Sequence, residues 1–311
     1  MKFDLIGMGE PMLEFSQLPP EPDGRRLYLE GFGGDTSNAT IAAARQGARA
    51  AYITALGTDF AGDSFVALWE REGVNTEGVV RKSTHLTGVY FIFHGPKGHE
   101  FLHYRQNSAA SALTPADLPK HMLTNTRLFF TSGVSQGIST TAADAVFTAI
   151  DMVRGAGGAV AYDTNYRPRL WPPARAAAVM EAAIRQADIV FPGMEDALVM
   201  TGLTDPDRIL DYYLHLGPRI AVLKMGDQGA YLATSDSRTR IPVHKVKALD
   251  ASGAGDTFCG SFLTRYLEGD TPEQSARYAN VAAALKCTDY GTVTPIPRRE
   301  HVHKALKAAR G

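Results

Sequence analysis

Cysteine is nearly absent: Cys259 and Cys287 are the only two in 311 residues. Two are too few for a disulfide framework, and their spacing does not suit a metal site. Long apolar runs are absent too, so no stretch of the sequence reads as a membrane span. The opening Met1-Lys2-Phe3-Asp4-Leu5-Ile6-Gly7 meets a charge too early for a signal peptide. A reducing cytoplasm is therefore the expected setting. An excess of one charge is also missing. Against 32 Lys and Arg stand 33 Asp and Glu, a formal net charge of −1, which argues against nucleic-acid or membrane-surface partners. There is no Gly-x-x-x-x-Gly-Lys-Ser/Thr loop, and Gly7-Met8-Gly9-Glu10-Pro11 lacks the third glycine of a dinucleotide fingerprint. Internal repeats, low-complexity tracts and interdomain linkers are lacking as well.

What is present is globular: 44% apolar and 21% charged residues, enough for a substantial core. Short apolar runs at Phe3 to Gly7, Ala51 to Leu56, Arg127 to Thr131, Ala159 to Asp163, Asp188 to Phe191 and Arg219 to Lys224 read as strands. Helical patterns fall near 36–47, 61–72, 140–154, 174–186, 205–216, 254–268, 273–287 and 299–309. This alternation predicts an α/β fold, a mostly parallel sheet with helices on both faces and ligands beyond the strands' carboxyl ends. One region breaks the rhythm. Gly88 to Phe93 and His99 to Tyr104 flank Gly95-Pro96-Lys97-Gly98 as a β-hairpin. With residues 10–32 it predicts a small antiparallel sheet acting as a lid, spanning about 10–32 and 86–106 of a single 1–311 domain. Its aromatic density calls for a covered face.

Asp250-Ala251-Ser252-Gly253-Ala254-Gly255-Asp256 organises the chemistry. Small residues turn the chain into a helix carrying Phe258, Phe262, Leu263, Tyr266 and Leu267 at helical spacing. First-turn N–H groups make an anion site, and Asp256 beside it suits a base that takes a proton from an attacking hydroxyl. A plain Gly-rich turn with a dipole-stabilising Asp is the bland alternative. Gly33-Gly34-Asp35-Thr36-Ser37-Asn38 opens a second, Ala-rich helix, where Asp35 and Asn38 offer groups for sugar hydroxyls or serve as ordinary caps.

These two turns resemble the signatures of the ribokinase-like (PfkB) sugar kinases. The resemblance implies that Gly253, Ala254 and Gly255 hold the transferring phosphoryl group with Asp256 as catalytic base, and that Gly33, Gly34 and Asn38 hold the sugar. Ala251 stands where the family often has Thr. Lys224, Gly226 and Gly229 then flank the nucleotide together with Asn165, Ser252, Gly253 and Gly255, while Asn280 and Ala283 lie near adenine. Tyr104-Arg105, Ser108-Ala109-Ala110-Ser111-Ala112-Leu113 and Asp163-Thr164-Asn165-Tyr166-Arg167, with Leu170-Trp171 beyond, are similar to the 2-keto-3-deoxygluconate kinase branch. In that branch Tyr90, Tyr104, Arg105 and Arg167 contact the keto-acid. A bidentate arginine suits a carboxylate that a neutral sugar lacks. The expected reaction is ATP-dependent phosphorylation of its 6-hydroxyl. Another sugar kinase of the family acting on fructose or ribose, or a catalytically silent ligand-binding protein, is the alternative. Mg²⁺ is implied, with a monovalent cation left open. Gly193-Met194-Glu195-Asp196 departs from the family's Asn-x-x-Glu, so Asp196 or Glu195 is the metal candidate. A homodimer through the lid, or a higher homo-oligomer, is the expected assembly.

Overall fold

The computed structural model describes residues 1–95 and 98–308; the loop expected at Pro96-Lys97 lies outside them. Among these described residues thirteen strands form two sheets. The strands are β1 (Phe3–Met8), β2 (Met12–Gln17), β3 (Tyr28–Gly33), β4 (Ala50–Gly57), β5 (Val79–Lys82), β6 (Gly88–Gly95) and β7 (Gly98–Tyr104). They continue as β8 (Thr126–Ser132), β9 (Ala159–Asp163), β10 (Ile189–Phe191), β11 (Ile220–Lys224), β12 (Ala230–Thr234) and β13 (Arg238–Ile241). The large sheet has nine strands in the order β13-β12-β11-β10-β9-β8-β1-β4-β5. It is parallel except at β11-β12-β13. Its central strands are apolar along their whole length because helices cover both faces. The chain leaves β1 towards β4, then crosses to β8 on the other side. The strand order thus reverses between β1 and β8, where such sheets open a ligand crevice.

Local sequence explains the covering helices. Ser139 accepts from Ala142 N–H at 3.0 Å to cap Thr140–Gly155, and Thr271 with Gln274 forms a reciprocal box that starts Pro272–Lys286 with proline in its first turn. Pro272–Lys286 packs on Ala254–Leu267, which in turn packs against Asp35–Arg45. A Cβ on Gly260 would stand 2.0 Å from the Ala39 carbonyl oxygen, so only glycine permits that approach. The two helices that open at Gly33-Gly34 and at Gly253-Ala254-Gly255 are thus bound face to face.

The small sheet runs β3-β2-β6-β7. It was expected to be antiparallel throughout, but β2 and β6 pair in parallel because both leave the large sheet in the same direction. Several short elements had no sequence signal of their own: β5, β13 and the helices Lys120–Leu123, Gly133–Gly137 and Met194–Thr201. Each is too brief to show a period. Among the described residues no helix is long and apolar enough to cross a membrane.

Candidate active site

The charged groups gather at the carboxyl ends of β1, β9, β10 and β11, beside two helix N-termini. Gly253 caps Ala254–Leu267 with φ 73°, in the left-handed region. A Cβ there would meet Thr292 Cγ2 at 2.7 Å, so conformation and space both select glycine. Asp256 is in the first turn and accepts from Asn38 Nδ2 at 2.8 Å, which joins the phosphoryl turn to the sugar turn across 218 residues. Burial, reinforced by the Asp35 charge, pushes the Asp256 carboxyl up to about 7, with the Asn38 hydrogen bond opposing. That value suits a base working near neutrality.

Lys224, at the end of β11, holds Asp163 at the end of β9 through contacts of 2.6 and 2.8 Å. Burial alone would lower the lysine, but the Asp163 charge leaves it above its ordinary value. Its ammonium would touch a Cβ placed on Gly255 at 3.4 Å, so a fixed positive charge sits directly under the phosphoryl turn. The buried Cys259 thiol completes this group, 3.6 Å from Asp163. One turn away, Asp196 accepts from Thr164 Oγ1 at 2.9 Å; burial and then the Asp163 charge raise its carboxyl.

The sugar turn is as tightly determined. Gly34 has φ 111°, and a Cβ on it would meet the Glu10 carbonyl oxygen at 2.5 Å. A Cβ on Gly33 would overlap the Tyr90 hydroxyl at 2.3 Å. Asn38 Oδ1 and Asp35 Oδ1 are buried without partners, an acceptor pair left for donors from a ligand. Asp35 is otherwise held by Asn165 Nδ2 at 2.7 Å. Asn165, expected beside the nucleotide, has φ 32° and donates from its side chain to Asp35 of the Gly33-Gly34 turn.

The small sheet closes over this group. Register puts Glu14, Tyr90 and His103 on one face, and Phe15, Phe91 and Tyr104 on the other. Tyr90 donates to Glu14, which also accepts from Thr292 at 2.9 Å, so the inner face is hydrogen-bonded to the segment beside Gly253. Burial raises Glu14 above its usual range. His103 stacks on Tyr90 at 5.6 Å and is pulled down to about 4 by burial, then by the charges of Arg105, Arg169 and Arg167. The positive charges of three arginines therefore act on one imidazole. Arg105 pairs with Glu10, whose carboxylate is fully buried and also accepts from Ser108 at 2.5 Å. The Arg105 Nε is buried and has no partner. Arg167 is exposed and donates to its neighbour's carbonyl, Tyr166 O, at 2.9 Å; Arg169 donates across to Phe101 O of the small sheet at 2.8 Å.

Two expectations need correction. Tyr104 was placed in the site, but pairing with Val89 turns its ring to the outer face, against Phe91 and 62% exposed. Its neighbour His103 points inward instead. Glu195 is exposed on the outside of its helix, and Asp196 alone of that pair joins the charged group. Gly229 is a position that packing also requires to be glycine, since a Cβ would stand 2.0 Å from Ile241 O, whereas a Cβ on Gly226 would have nothing within 4 Å. Asn280 donates to Pro242 O at 2.8 Å, and Ala283 packs beside it on the core. Ser252 N–H donates to Asp250 at 2.9 Å, and the Gly57 to Gly62 turn is structural, with Asp59 capping the next helix. Glu10, Glu14 and His103 were missed. Alternation along the lid strands was the available signal for His103; the buried acids gave none.

A model of the pfkB family carbohydrate kinases matches residues 19–299. The 2-dehydro-3-deoxygluconokinase of Bacillus subtilis is 30% identical over 320 residues, covering all of this chain and 97% of that protein. Fructokinase-1 of Oryza sativa is 28% identical over 98% of both chains. A crystal structure of fructokinase with bound ATP from Xylella fastidiosa superposes with a TM-score of 0.92 over the whole of both chains, at 22% identity. The fold is thus the ribokinase-like one. With both signature turns in place and the family model spanning most of its length, the chain belongs to the pfkB family of carbohydrate kinases and is a phosphotransferase that takes a sugar and ATP.

Proposed function

We propose that the protein transfers the γ-phosphoryl group of ATP to the 6-hydroxyl of 2-keto-3-deoxygluconate. The observation that carries this is Arg105. Its guanidinium is anchored by a buried glutamate yet keeps a buried, unpartnered Nε, and the charges of Arg105, Arg169 and Arg167 all act on the nearby His103. A neutral sugar gives such a cluster nothing to neutralise, whereas a keto-acid brings a carboxylate. The resemblance to named 2-dehydro-3-deoxygluconokinases agrees, and the equal presence of fructokinases makes the acceptor the point to test.

Asp256 accepts the proton of the attacking hydroxyl while Asn38 fixes its orientation. The first-turn N–H groups of residues 253–256 and the Lys224 ammonium face the oxygens over which phosphoryl charge spreads. Asp35 and Asn38 supply acceptors for sugar hydroxyls. The inner face of the small sheet acts as a lid that excludes water from the transfer. Asp196 fits Mg²⁺: burial and Asp163 leave its carboxylate short of positive charge, and one carboxylate is a usual protein share for an ion held largely by phosphates and water. When bound, the ion neutralises charge on the phosphoryl oxygens.

Two copies are proposed to pair through the outer face of the small sheet. There Phe15 stacks on Phe91, Tyr28 and Tyr104 meet Phe91 edge-on, and Leu102 is 43% exposed. The deciding experiment is an ADP-release assay across keto-deoxy sugar acids, fructose and ribose. Keto-acid turnover well above the neutral sugars is expected, and the reverse order overturns the assignment.

A further inference from the structure

A lysine that this chemistry does not use lies beneath the phosphoryl turn. Lys286 closes the helix Pro272–Lys286, and its side chain has no exposed surface. Its ammonium donates to the Asp250 carbonyl oxygen at 2.9 Å and stands 3.9 Å from the Asp250 carboxylate. That carboxylate accepts from Ser252 N–H at 2.9 Å and from Gly291 N–H at 3.0 Å. The Leu249 N–H donates to Cys287 O at 2.7 Å. Segments 249–253 and 287–292 are therefore stitched together just before Gly253, with Asp250 and Lys286 in the seam.

A carboxylate withdrawn from water in this way needs a positive partner nearby. Burial pushes Asp250 up, and the Ser252 hydrogen bonds and the Lys286 charge more than offset it, leaving an anion. Burial lowers the Lys286 ammonium below its ordinary value, and the charges of Asp250 and then of Glu14, on the small sheet, oppose that. One source for such a cation is an alkali ion from solvent, held by carbonyl and carboxylate oxygens. Here those oxygens already face an ammonium that cannot diffuse away. The monovalent cation left open by the sequence does not fit this seam.

We infer that Lys286 is a built-in cation that fixes the backbone of residues 250–253 for phosphoryl transfer, so that the kinase works without a monovalent metal ion. Lys286 is a positioning residue, acting through Asp250 and Gly253 without touching the reactants. The inference holds whichever sugar is the acceptor.

The test is the initial rate at saturating acceptor and Mg-ATP in potassium, sodium or choline chloride at equal ionic strength. Wild-type rates should agree within about twofold. Activation by potassium of about fivefold or more overturns the inference. Lys286→Met should lower kcat about ten- to a hundredfold with a smaller change in KM, and potassium or ammonium chloride should restore much of the loss. A merely structural lysine would lower the melting temperature without making the rate cation-responsive, and that outcome also overturns it. So does a variant with wild-type kcat in choline chloride. Should Lys286→Met not fold, Lys286→Gln, which keeps a donor for Asp250 O without the charge, is read the same way.

Discussion

At the ends of the large sheet, Asp163 and Lys224 reach the site from strand termini and Asp196 and Asp256 from two helix starts, within short runs of contiguous sequence. In the small sheet, Tyr90 and His103 reach it from mid-strand, and their neighbours point the opposite way. The first arrangement depends on backbone turns that glycine makes possible. The second depends on register, where a shift of one residue exchanges the inner and outer faces. Turn chemistry is local and fixes the reaction; register is non-local and, on the reading above, fixes which sugar is accepted.

The largest expected effect is at the turn. Asp256→Asn keeps size and shape but removes the proton acceptor, so kcat should fall roughly a hundred- to ten-thousandfold. Near-normal kcat would make the turn a simple anion site and erase the contrast. The same variant tests its electrostatic cost. Asp256 titrates about 7 in the folded protein, against 3.8 as its ordinary value. The folded state thus binds the proton more tightly, and the stability this contributes is present below about pH 4 and lost as pH rises through about 7. At pH 8 Asp256→Asn should therefore be more stable than wild type, on the order of 2–4 kcal/mol by denaturant unfolding, with the gap narrowing towards pH 5. In wild type the rate should climb with pH as Asp256 loses its proton; a flat profile from pH 6 to 8 counts against its role as base.

The lid side should respond through specificity. Arg105→Ala should lower kcat/KM for the keto-acid about tenfold or more while ATP binding changes little. Wild type should reject an analogue with a hydroxymethyl group in place of the carboxylate, and the variant should lose most of that discrimination. A variant that discriminates as well as wild type removes Arg105 from carboxylate reading. The smallest effect contrasts the two faces. His103→Ala should raise KM for the keto-acid by a few fold, while Tyr104→Ser should leave protomer kinetics within about twofold. Light scattering should show Tyr104→Ser shifted towards monomer. A large kinetic loss at Tyr104 with none at His103 would mean that the faces are exchanged.

The alternation of apolar runs made the α/β body legible, and Gly253, Gly255, Asp256, Gly33 and Asn38 were legible because tight turns need specific residues in contiguous order. Tyr104 was misplaced because a Tyr-Arg pair says nothing about which face a strand turns inward. Glu10 and Glu14 were illegible for a related reason. Each is an acid beside β-rich sequence, and only tertiary partners such as Arg105, Ser108, Tyr90 and Thr292 make its burial tolerable. The contact of Asn165 with Asp35 was illegible because it joins segments 130 residues apart.

The contact of Gly260 with Ala39 has a mechanical consequence. On the proposed function, the gap between acceptor hydroxyl and phosphoryl donor would follow how closely the two helix barrels lie, and motion of the small sheet would leave that gap unaltered. Amide hydrogen exchange should accordingly find Asp35–Arg45 and Ala254–Leu267 opening together as one unit, far more slowly than the small sheet above them. In Gly260→Ala the inserted methyl would wedge the barrels apart, and reactants that still bind would be held beyond the reach of in-line attack.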